Sequence, residues 1–204
     1  MSPRAPLPPP PPPAEIQSWP DREARLADRA RAMAELTRRL IGGARLTVFL
    51  VWLATLQLGW GICGSGLIML EESIDPISGL FAAFFVALGL GAVVPAVYFL
   101  GRGVREDRLA RERLLLWAVL DADRTADARL REPVLSVVWL LLSLLLCAVG
   151  LWVSLAAPAE GVGPGRGYGT VAYLMGMGLG LWIGGLIGTT KAIGHYRLAV
   201  RLVA

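Results

Sequence analysis

The stretch LLLWAVLDADRTADARLRE (114–132) holds the densest set of side chains that could do chemistry. Asp121 and Asp123, two apart at the end of an apolar run, could divide the roles of nucleophile and acid/base in phosphoryl transfer. The same two carboxylates, with Thr125 and Glu132, stand at positions 1, 3, 5 and 12 of a calcium-wrapping loop. Glu71, Glu72 and Asp75 are close enough in sequence to share a divalent cation. Two glycine-rich stretches raise the question of phosphate binding: GVGPGRGYG (161–169) and GMGLGLWIGGLIG (176–188).

Each pattern has a simpler competitor. The Asp-x-Asp-x-Thr run resembles the first motif of the haloacid dehalogenase phosphatases. That resemblance implies Asp121 as nucleophile and Asp123 as acid/base, inside a Rossmann-like domain with a later Lys and a further acidic pair. Here the loop spans only 101–133 before the chain turns apolar again at Val134, which leaves no room for such a domain. The calcium pattern lacks the glycine its sharp turn requires, because position 6 is Ala126, and Ala128 replaces the larger apolar residue at position 8. A helix N-cap at Asp123 opening a short charged helix, RTADARLRE, is expected instead. GVGPGRGYG fits neither GxGxxG nor GxxxxGK[ST] and reads as a connector. The acidic trio reads as a plain acidic loop. The sequence therefore predicts no catalytic, cofactor-binding or metal-ligating residues, and a chain that is not an enzyme.

Composition shows what must position everything else. The chain has 204 residues, 55% hydrophobic, with a mean hydropathy of +0.57, too apolar for a soluble domain of this size. Four windows, 46–70, 77–100, 134–157 and 170–190, lack Asp, Glu, Lys, Arg and His altogether. At about 1.5 Å per residue each can cross a hydrocarbon core of roughly 30 Å. The first begins too far into the chain and is too long for a cleavable signal peptide.

Charge then predicts orientation. Of the 20 basic residues, 19 fall in the N-terminal segment, the middle loop and the tail, and only Arg166 falls on the other side. The positive-inside rule places both termini and the middle loop in the cytoplasm of a cell membrane. The net charge of +4 matches anionic inner-leaflet lipid, and no nucleic-acid partner is expected. Only Lys191 is a lysine. Such an Arg bias, with abundant Ala, Gly and Pro, points to a GC-rich bacterial genome.

The predicted fold is all-α and polytopic: four transmembrane helices in two hairpins with charged cytoplasmic helices. Residues 1–17 form a proline-rich arm, stiff in polyproline II form, acting as a spacer or a weak docking ligand. Residues 18–45 form an amphipathic helix, capped by Ser18 with Asp21, whose stripe is Leu26, Ala30, Met33, Thr37 and Leu40. Hairpin one covers 46–100, with a kink expected around Pro95. A basic loop of separate helices covers 101–133, hairpin two 134–190, and a tail 191–204. Arg-Leu-Ala recurs after the second and fourth spans, which hints at a duplicated unit. Cys63 and Cys147 differ in depth and read as small apolar residues rather than a disulfide. The single histidine, His195, lies in the tail.

Inside the spans, Gln57 is the strongest polar group and is expected to hydrogen-bond between helices. Gly176, Gly180, Gly184 and Gly188 fall four apart, a glycine zipper that lets another helix approach its backbone. The partner would be the first span, with its own Gly59, Gly61, Gly64 and Gly66, or the same helix of a second copy. The function expected is a non-enzymatic assembly or packing subunit, homo-oligomeric through the fourth span or joined to a membrane complex. A small channel or permease component for ions or neutral solutes is the alternative.

Overall fold

A computed structural model of the chain describes residues 7–12, 19–72, 75–120, 133–163 and 167–201. It is all-α: α1 (Arg22–Ile41), α2 (Gly43–Glu72), α3 (Pro76–Val119), α4 (Pro133–Glu160) and α5 (Tyr168–Arg201). Four helical segments are long and apolar enough to cross a membrane, as the uncharged windows predict. Ser18 and the Asp121, Asp123, Thr125 and Glu132 set lie outside the described residues, as does the helix expected at RTADARLRE.

The start of α1 differs from expectation. Its N-cap is Asp21, whose carboxylate accepts from the Ala24 amide at 2.7 Å. A carboxylate at this position satisfies one of the helix's orphan donors and meets the positive end of its dipole. The helix ends at Gly42, where an added Cβ would run into the Arg38 carbonyl. Only glycine fits there, and its extended ψ of 150° ends α1 before α2 starts afresh at Gly43. The buried face is also broader than the predicted stripe: Arg29, Ala32, Met33, Leu36, Thr37, Leu40 and Ile41. Leu26 and Ala30 are only half-buried. Glu35 bridges Arg38 and Arg39 on the flank. The Arg39 hydrogen bond, more than the Arg38 one, holds its carboxyl below the usual range against the opposing effect of burial.

The second difference is α3. A separate charged helix was expected after the second span, yet one unbroken helix of 44 residues carries both. Gly101 has open space around it, and an exposed helical glycine costs only about 1 kcal/mol. The Arg/Leu/Ala/Glu-rich run beyond it favours helix and simply propagates the one already formed. Pro95 lies inside α3 and removes the hydrogen bond it would have given the Gly91 carbonyl.

Two compact units emerge, one of Met1–Leu46, Val104–Trp139 and Thr190–Ala204, the other of Thr47–Gly103 and Leu140–Thr189. The first collects the charged segments around a core of Met33, Leu36, Leu40, Ile41, Leu114, Trp117 and Trp139. Arg29 is almost wholly buried there and donates through Nε to the Trp117 carbonyl at 3.2 Å. The second unit is apolar, with its largest side chains turned outward: Phe81, Phe84, Leu144 and Trp152 are all more than 45% exposed. In lipid that inversion costs nothing, so contact within the unit must come from close packing.

Candidate functional site

The apolar unit is held by glycines at three helix contacts. Between α2 and α3, Gly59 lies against Ala92 and the Gly89 carbonyl, and Gly66 against the Ala82 carbonyl and Val86. A Cβ at Gly89 would sit 2.6 Å from the Gly59 oxygen. Between α4 and α5 the approach is equally close, since a Cβ on either Gly150 or Gly178 would stand 2.6 Å from the other's carbonyl oxygen. Gly185 faces Cys147 and the Ser143 carbonyl in the same way. Backbones approach like this where at least one side lacks a side chain, and at Gly59/Gly89 and Gly150/Gly178 both do, which is how helices gain contact without a hydrophobic drive.

The third contact involves the glycines singled out from sequence. Gly176 faces the Trp60 ring, Gly180 the Gln57 amide and Gly184 the Leu53 methyls, all on α2 of the same chain. The numbers run in opposite senses, as in an antiparallel pair. Gly188 is buried. Gln57 Nε2 donates to the Met177 carbonyl at 3.3 Å, and Trp60 Nε1 to the Tyr173 carbonyl at 2.9 Å. Two α2 donors thus reach two α5 carbonyls one turn apart. Each carbonyl has a second lone pair beyond the one used in the helix. In the other direction, the Tyr173 ring fills the notch at Gly64.

Gly178 and Gly185 were missed as packing residues. They are seven apart and lie off the four-residue register, so they form a second flat face of α5, turned to α4. Their signal was the seven-residue spacing together with Gly150 in the neighbouring span. Both cysteines are free, and each points its thiol at a carbonyl: Cys63 at Val86, Cys147 at Trp182.

Two of the acidic trio, Glu71 and Asp75, serve as caps of different helices. Glu71 accepts from the Tyr168 amide at 2.8 Å and the Gly169 amide at 2.6 Å, capping α5 from the end of α2. Asp75 caps α3, taking both the amide and the hydroxyl of Ser78. The Ser78 hydroxyl, more than its amide, holds the Asp75 carboxyl below the usual range. Among the described residues no group of three or more His, Cys, Asp or Glu is placed to hold a metal ion.

In the charged unit, an ionic node was not anticipated from sequence. Asp107 on α3 receives Arg45 from α2 at 3.1 Å and Lys191 from α5 at 2.9 Å. Arg45 also reaches Glu106 at 3.3 Å. The Lys191 ammonium lies 4.6 Å from the centre of the Trp139 ring on α4, and Trp139 Nε1 donates to the Ile41 carbonyl ending α1. Every helix therefore contributes to one node. Beside it is a hollow lined by Leu40, Ile41, Arg111, Lys191, Gly194 and His195. Its space open to a water-sized molecule is about 10 Å³, room for one water and not for an organic substrate.

No protein-family model matches the chain. Neither the curated proteins nor the solved structures yield a match.

Proposed function

We propose that the chain is a non-enzymatic, multi-pass protein of the cell membrane that works as an assembly subunit. In this reading its glycine-rich fourth span acts as the packing hub, and both termini face the cytoplasm and anionic lipid. The observation that carries the proposal is the double use of α5, one glycine face against α2 and another against α4. A helix spent on both sides in this way builds a rigid body, whereas a carrier must let its helices part. The seam occupied by Leu53, Gln57 and Trp60 is filled with side chains. The helical stretches carrying Arg45, Asp107 and Lys191 are tied to one another and not left free to gate. Assembly then uses the outward apolar faces and the charged helical surface.

The test is native mass measurement in lipid nanodiscs, paired with flux into proteoliposomes. Complexes larger than one 21.9 kDa chain, with no solute or ion flux, are expected. A monodisperse single chain that conducts would overturn the proposal in favour of a channel or permease component.

A further inference from the structure

The proline-rich arm is seated on a defined surface of the charged unit. Arg113 Nη1 donates to the Leu7 carbonyl at 3.1 Å and to the Pro8 carbonyl at 2.6 Å. Trp117 Nε1 donates to the Pro9 carbonyl at 3.1 Å. Trp19 meets the Trp117 ring edge-on, with centroids 6.4 Å apart. The Trp117 backbone carbonyl is in turn held by Arg29, so the indole stands on a fixed support.

The chemistry of this contact is selective. Residues 8–13 are all proline and offer no N–H, so a surface that recognises them can address only carbonyl oxygens and ring faces. Arg113 and Trp117 present donors alone. They stand four residues apart on α3, a separation of about 6 Å along the helix. Polyproline II rises about 3.1 Å per residue, so two of its residues span the same distance. One turn of α3 therefore matches two residues of an extended proline run, and the ligand arrives already stiff, with little entropy to lose.

We propose that the Arg113–Trp117 surface is a polyproline-recognition site. Its physiological ligand is a proline-rich segment of another protein, and the chain's own Leu7–Pro9 is a tethered competitor. The tether gives the arm an effective concentration of about millimolar, so the site is closed until the arm is displaced.

The experiment uses the full-length chain in detergent or nanodiscs and a labelled peptide of residues 5–14, APLPPPPPPA, followed by fluorescence anisotropy. The variant Leu7→Gly/Pro8→Gly/Pro9→Gly keeps the arm's length but loses its seat. It should bind the peptide at least tenfold more tightly than the unaltered chain. Adding Arg113→Gln, which removes the charge and three of the five N–H donors and shortens the reach, or Trp117→Phe, which removes the single donor, should weaken that binding at least tenfold. A glycine–serine peptide of equal length should not bind. The proposal is overturned if the arm variant fails to bind the proline peptide, if it binds no better than the unaltered chain, or if Arg113→Gln and Trp117→Phe leave its affinity unchanged.

Discussion

Alanine substitution at three glycines of the apolar unit should give three different outcomes, and the differences follow from geometry. At Gly61 an added Cβ meets nothing within 4 Å, so Gly61→Ala gains only the helix preference of alanine, about 0.5–1 kcal/mol. At Gly180 the new methyl meets the Gln57 Nε2 at 2.9 Å, with the next atoms at 3.7 Å and beyond. The end of a flexible amide can move, so Gly180→Ala should be close to neutral. At Gly178 the methyl stands 2.6 Å from the Gly150 carbonyl oxygen and 2.7 Å from the Ser154 amide nitrogen, both backbone atoms. To reach ordinary contact, α4 and α5 must part by roughly 0.8 Å, which forfeits dispersion along the whole seam. Overpacking of this kind costs about 1–3 kcal/mol. The alanine preference applies equally to Gly61→Ala and Gly178→Ala, so the difference between them isolates the clash. The assay is reversible unfolding by SDS titration in mixed micelles, followed by circular dichroism. If Gly178→Ala unfolds at the same SDS fraction as Gly61→Ala, the backbone contact between α4 and α5 does not exist as described.

Two further outcomes follow from the charged groups. Asp107→Asn leaves Arg45 and Lys191, 15% and 8% exposed, without their shared carboxylate. It should destabilise by about 2–3 kcal/mol, below the range for a fully buried pair because Asp107 keeps some contact with solvent. A cycle with Lys191→Met should show coupling of about 1 kcal/mol or more, and coupling near zero would remove the node from the energetics. Glu71→Gln should loosen the first turn of α5 by about 0.5–1 kcal/mol, read as several-fold faster hydrogen exchange at Tyr168 and Gly169.

What could be read in the sequence was what depends on near neighbours. Long uncharged runs announce spanning helices because length and hydropathy are local properties, and Gln57 stood out because it alone is strongly polar in its run. The four-residue register of Gly176, Gly180 and Gly184 is likewise local, but what faces them is the side chains of Trp60, Gln57 and Leu53 and not another backbone. Which helix meets them is not a local property. The Asp107 node was invisible for the same reason: its partners lie 62 and 84 residues away. In a count of charges, Arg45 and Lys191 looked like any other residues facing lipid headgroups. Asp21 was misassigned because Ser18 offered an equally good capping pattern one turn earlier. The continuity of α3 was not legible because the sequence changes from apolar to charged after residue 100, and that change of polarity does not break the helix.

The distant partners of α2 also set an order in time. Gln57, Trp60 and Glu71 each find their partner on a stretch of chain made 97 to 120 residues later. At about 5–20 residues per second, the first span waits roughly 5–25 s after its own synthesis before those donors and that carboxylate are matched. During that interval it is an unfinished helix with a polar amide, an indole and a charge on offer, the kind of surface a membrane chaperone or insertase can hold. α5 is thus the clasp: a ribosome that stops before residue 168 leaves α2 without its closing contacts.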